Sequence, residues 1–130
     1  MTKVRLALFM LPVLIASVSA ADVSGTWTMT LSADWTRIPG LVCSFAQKGQ
    51  ELSGTCKAAA DPGGKGTDLI DGSVDGDKFS CRWNIVTPDG EPWTYALTGT
   101  VDANGMMMKG SFKLSSRLSE GEGSFTAQKQ

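Results

Sequence analysis

Four carboxylates, Asp68, Asp71, Asp75 and Asp77, fall within ten residues of one another. Paired carboxylates can do general acid–base work, and clustered ones can hold calcium. The Asp75-Gly76-Asp77 run is first of all a tight-turn sequence, however, and the spacing matches no calcium loop. Three cysteines, Cys43, Cys56 and Cys81, offer thiol chemistry or a disulfide. Met106-Met107-Met108 offers soft sulfur ligands. On a strand the middle methionine points away from its neighbours, so the three cannot converge on one ion, and gap-filling in a core is the better account. The chain contains no histidine. That removes the commonest general base and the commonest metal ligand, and with them every Ser–His and Cys–His mechanism. No catalytic residue, metal site or cofactor is expected, and the chain reads as a protein that is not an enzyme.

The N-terminus carries a different message. Lys3 and Arg5 precede an apolar run from Leu6 to Val18, and Val18-Ser19-Ala20 supplies small residues at a cleavage site. Residues 1–21 therefore read as a signal peptide cut after Ala20 or Ala21. The run is short for a bilayer span and is interrupted by Pro12. Residues 22–130 are then one small domain, exported to the periplasm or the medium. Loss of Lys3 and Arg5 leaves ten basic against thirteen acidic residues, a net charge of −3. With no Lys/Arg cluster, neither nucleic acid nor an anionic membrane surface is an expected partner.

Behind the leader the chain alternates β-rich runs with turn residues, and no amphipathic helix is visible. Eight runs are expected, at 25–33, 41–48, 51–58, 67–74, 78–87, 92–101, 106–115 and 122–129. Apolar residues recur at every second position: Phe79, Cys81, Trp83 and Ile85 share one face, as do Trp93, Tyr95, Leu97 and Val101. Such one-sided burial fits a barrel or a sandwich. The connections choose between them. The second, fourth and sixth (Gly49-Gln50, Asp75-Gly76-Asp77 and Asp102-Ala103-Asn104-Gly105) are tight turns, whereas the first, third and seventh are longer. In a meander, alternate connections share an end. The pattern therefore predicts an all-β, eight-stranded antiparallel up-and-down barrel, sealed at one end and open at the other.

Register follows from the first tight turn. If Gly49-Gln50 is a hairpin loop, Lys48 faces Glu51 and Cys43 faces Cys56 in a non-hydrogen-bonded pair, with Cα atoms about 4.5 Å apart. A Cys43–Cys56 disulfide is thus expected in an oxidising compartment. Cys81 is left as a free thiol on the apolar face, a small buried hydrophobe or else a reactive group.

Gly25-Thr26-Trp27, opening the first strand, resembles the Gly-x-Trp motif of lipocalin-like (calycin) barrels. Leu52-Ser53-Gly54-Thr55, the run 71–77 and Leu97-Thr98-Gly99-Thr100-Val101 are similar to short bacterial exported members of that group. The resemblance implies that Trp27 lies at the closed end beneath a basic residue of the last strand, here Lys129. Gly-x-Trp also occurs in avidins, but Met29 stands where a polar biotin-binding residue would be expected.

Three functional readings follow. In the first, a calyx holds a small apolar ligand against Phe45, Phe79, Trp83, Trp93, Tyr95, Met108 and Phe112, with loops bearing Trp35, Ile38, Pro39, Lys65, Arg117 and Leu118 around the mouth. Gly54, Gly99 and Gly110, on inward phases, would leave room for it. In the second, the open-end loops, with Trp35, Arg37 and Ile38 as anchors, dock on another exported protein, in the manner of bacterial inhibitors of secreted zinc proteases. In the third, the aromatics simply fill a structural barrel, since eight strands leave an interior just wide enough for side chains or one small ligand.

Overall fold

The computed structural model describes residues 21–130 except 36–37, 62 and 88. The expected leader, apart from Ala21, and Arg37 lie outside the described residues. The eight strands are β1 (Gly25–Ser32), β2 (Leu41–Lys48), β3 (Glu51–Ala58), β4 (Thr67–Asp75), β5 (Lys78–Val86), β6 (Pro92–Val101), β7 (Met107–Ser115) and β8 (Glu120–Lys129). Each pairs antiparallel with the next, and β8 returns to β1, closing the barrel as the meander pattern predicts.

One connection is shorter than expected. β8 begins at Glu120, because the Ser116 hydroxyl accepts from the backbone N–H groups of Leu118 and Ser119 and folds the chain back at once. The long loops are therefore only 33–40 and 59–66.

Inside, four phenylalanines set the packing. Phe45 pairs in register with Gly54, Phe79 with Gly99, Phe125 with Gly110 and Phe112 with Gly123. Each ring projects into the barrel beside a position with no side chain. Phe45 and Phe79 approach to 5.6 Å between centroids, and Phe79 and Phe125 to 6.3 Å, all tilted. The waist is therefore filled. The inward glycines are not room left for a ligand, as the sequence suggested. They are points where backbones approach closely: a Cβ on Gly110 would sit 2.1 Å from the Thr98 carbonyl oxygen and 2.4 Å from the Gly99 Cα. Alternation along a single strand shows which way a glycine faces but not what stands across from it.

The outer wall is polar. One register row runs Ser73–Ser80–Thr98–Ser111–Ser124–Ser32 across six adjacent strands. Lys57, Asp68, Lys78, Arg82, Lys109, Lys113 and Glu122 stand on the same surface. Ile70 and Met107 are also exposed on these strands.

The close approach at the glycines can be measured. Gly110→Ala is expected to cost about 3 kcal/mol through forced strand displacement. Gly63→Ala, where an added Cβ meets nothing within 4 Å, should change stability by less than about 0.5 kcal/mol. Urea unfolding midpoints of the two variants test this, and equal midpoints would contradict it.

Candidate functional site

The two ends of the barrel differ. At the sealed end, residues 21–24 cross the opening before β1 starts. The Ala21 N–H donates to the Gly76 carbonyl at 2.9 Å. The Val23 N–H donates to the Gln47 side-chain carbonyl at 2.8 Å, and the Gln47 N–H donates to the Ser24 hydroxyl at 3.2 Å. Val23 is fully buried, so it acts as the plug. Trp27, also fully buried, donates its indole N–H to the Val23 carbonyl at 2.9 Å. Lys129 pairs in register with Trp27 and places Nζ 5.9 Å from its ring centroid. Gly25, at φ +126°, lets the lysine stem pass: a Cβ there would sit 3.1 Å from Lys129 Cε. The tryptophan, glycine and lysine of the motif thus act together. The plug at Val23 carries no sequence signal beyond being apolar.

The calyx residues divide between levels. Phe45, Phe79, Met108 and Phe112 are all buried in the middle and lower barrel, and Trp93 is half-buried near the rim. Phe79 and Met108 also border shallow grooves of about 510 and 320 Å³ among outward-facing side chains, whereas Trp83 and Tyr95 border space at the open end. They are partners across β5 and β6 and stack with centroids 4.9 Å apart and planes 8° from parallel. Beside them a cleft of about 390 Å³ opens toward the mouth, walled by Pro39, Leu41 and Ile85 and rimmed by Lys57, Asp61 and Lys65. Pro39 and Lys65 belong to the loops expected there. Leu41, Lys57, Asp61 and Ile85 come from strand ends and a turn whose convergence depends on closure, which no local pattern reveals.

The open-end loops are less free than their sequence suggests. Trp35, beyond the end of β1, lies where a side chain on Gly121 would stand, since a Cβ there would sit 2.3 Å from its ring. Its indole N–H donates to the Glu122 carbonyl at 2.9 Å, leaving it 49% exposed. Ile38 packs against the core. Arg117 reaches Glu91 at 3.8 Å, and Leu118 stands 84% exposed at its turn.

The carboxylate cluster does not converge. Asp71 receives Arg82 through Nε at 3.0 Å and Nη2 at 2.6 Å on the outer wall. Asp75 accepts from Gln50 at 3.4 Å, and Asp68 and Asp77 are exposed. Among the described residues no three His, Cys, Asp or Glu side chains gather as a metal site. Of the three methionines at 106–108, Met108 enters the core, while Met106 and Met107 are exposed.

Cys43 and Cys56 form the expected disulfide, with Cα atoms 4.0 Å apart, and the bridge lies buried with the Met29 sulfur 3.7 Å from Cys43 Sγ. Cys81 is free and buried. Burial, reinforced by the nearby Asp71 charge, pushes its pKa up to about 12.

No family model matches the chain. No curated protein matches it either. Among solved structures it is similar to a "putative outer membrane protein" from Bacteroides fragilis NCTC 9343, with a TM-score of 0.53 and 18% identity over 83% of this chain. This chain spans about half that protein's length, 51%. At that identity the likeness is one of fold, an eight-stranded antiparallel barrel. A lipocalin-like family membership is not established by it.

The thiols give a direct check. Unfolded, unreduced protein should titrate one thiol, and the folded protein none, at pH 8. Three thiols on unfolding would contradict the disulfide. The raised Cys81 pKa also has a signed consequence. The folded state holds this proton more tightly than the unfolded chain, so the contribution is complete below the ordinary thiol value of 9.0 and is lost as pH rises toward about 12. Cys81→Ala should flatten the alkaline decline of the denaturation midpoint.

Proposed function

We propose that this chain is an exported, non-enzymatic binding protein that takes a small, largely apolar ligand into the cleft at the open end of its barrel. The observation that carries the reading is the stacked Trp83–Tyr95 pair flooring a cleft of about 390 Å³, a size within the range of small-ligand sites. The ligand lies above the filled waist rather than deep in a calyx. The leader expected at 1–21 and the Cys43–Cys56 disulfide support export. The hydroxyl-bearing outer wall supports a barrel surrounded by water in the periplasm or medium, with no membrane and no nucleic acid as partner.

A docking role for the open-end loops is the weaker reading. Trp35 and Ile38, two of its expected anchors, are already packed within the fold. Leu118 and Val86 remain as exposed apolar groups at this end.

Native mass spectrometry of protein purified from its own source tests the reading. A discrete added mass, lost on unfolding, is the expected result. Ala58→Trp places a bulky ring in the cleft from an exposed strand end and should abolish that mass while the barrel stays folded. Protein that carries no added mass, or a variant that retains it in full, would count against the cleft.

A further inference from the structure

We infer that the ligand of the open-end cleft carries a carboxylate, received by the Trp83 indole N–H and the Tyr95 hydroxyl with Lys65 at the rim. The inference rests on the ligand-binding reading above and adds the chemical class.

Its starting point is the state of the polar aromatic groups. Trp27 donates its indole N–H to Val23, and Trp35 donates its own to Glu122. Trp83 is 1% exposed and Tyr95 8% exposed, yet among the described residues neither the Trp83 N–H nor the Tyr95 hydroxyl has a hydrogen-bond partner. Buried polar groups in folded proteins are almost always paired. Two orphans on adjacent strands, stacked on each other and both lining one cleft, are a shared exception.

The chemistry of the orphans selects the ligand. An indole N–H can only donate, and a phenol hydroxyl donates readily. The pair therefore calls for an acceptor with more than one lone-pair site, which a carboxylate supplies and an ammonium does not. Hydrogen bonds to an ionised acceptor are about twice as strong as neutral ones. Charge agrees with this. Lys65 stands on the rim, and the cleft lining contains a single acid, Asp61. The Asp61 carboxylate is folded back over its own turn, where a Cβ on Gly64 would lie 2.4 Å from Oδ2. Pro39, Leu41 and Ile85 provide an apolar wall for the rest of the molecule. The geometry describes a small amphipathic acid, with its head on the Trp83–Tyr95 floor and its hydrocarbon body along β2 and β5.

Three compounds with one skeleton separate the possibilities: 3-phenylpropionate, 3-phenylpropan-1-ol and 3-phenylpropylamine, each titrated calorimetrically into the full mature protein. The acid should bind about ten-fold more tightly than the alcohol and the amine. Tyr95→Phe should weaken the acid by about three- to ten-fold. Lys65→Met, at an exposed loop position, should weaken the acid and leave the alcohol unchanged, so the result does not hinge on a buried substitution. Alcohol or amine binding as tightly as the acid overturns the carboxylate assignment and leaves the cleft standing. An acid affinity unmoved by both substitutions does the same. No binding of any of the three at millimolar concentration overturns the assignment together with the cleft reading.

Discussion

The barrel depends on one steric arrangement: every phenylalanine that enters it faces a glycine on the neighbouring strand. Eight strands enclose a space that can be filled by side chains or left to hold one small molecule. Four rings fill the waist, and they can do so because Gly54, Gly99, Gly110 and Gly123 present no side chain opposite them. The same glycines let backbones come together where the wall bends. Aromatic burial and wall curvature are therefore one constraint, satisfied by the same register pairs. Trp35 over Gly121 repeats the device at the mouth, outside the regular strands.

This arrangement sets where recognition can occur. Below the waist the sealed end is closed twice, by Val23 across the opening and by Trp27 under Lys129. Above it Trp35 covers the β8 side of the mouth, and what remains open lies against β2 to β6. The unsatisfied polar groups of Trp83 and Tyr95 sit on that side alone. Trp27 and Trp35 pair their indole donors within the fold, whereas that of Trp83, beside the cleft, stays unpaired among the described residues.

The meander was legible because turns and strands carry local signals. Gly49-Gln50 determines the Lys48–Glu51 register, and from it the Cys43–Cys56 pairing follows by counting outward. Trp27 and Lys129 were legible through a motif together with the polarity of the barrel. The candidate site was only partly legible. Trp83 and Tyr95 could be assigned to the interior by alternation, but so could Phe45 and Phe79, and nothing within a strand separates a residue at the waist from one at the mouth. That distinction depends on stagger between strands, a property of closure. The Ser116 turn was missed because its hydroxyl competes for backbone donors in a way a Ser-Ser-Arg-Leu run does not announce.

Closure has a consequence in time. The seam of the barrel joins Trp27 to Lys129, so the first strand waits for all the other strands before it gains its second neighbour. Contacts so distant in sequence are slow to form, because their entropic cost comes before their reward. Until β8 arrives, β1 has a free edge and the aromatic waist lacks Phe125. A polypeptide emerging from the ribosome thus cannot complete this fold until β8 has been made. The same late seam that leaves the finished barrel without an exposed edge leaves its incomplete form with two, each a template for pairing with another chain.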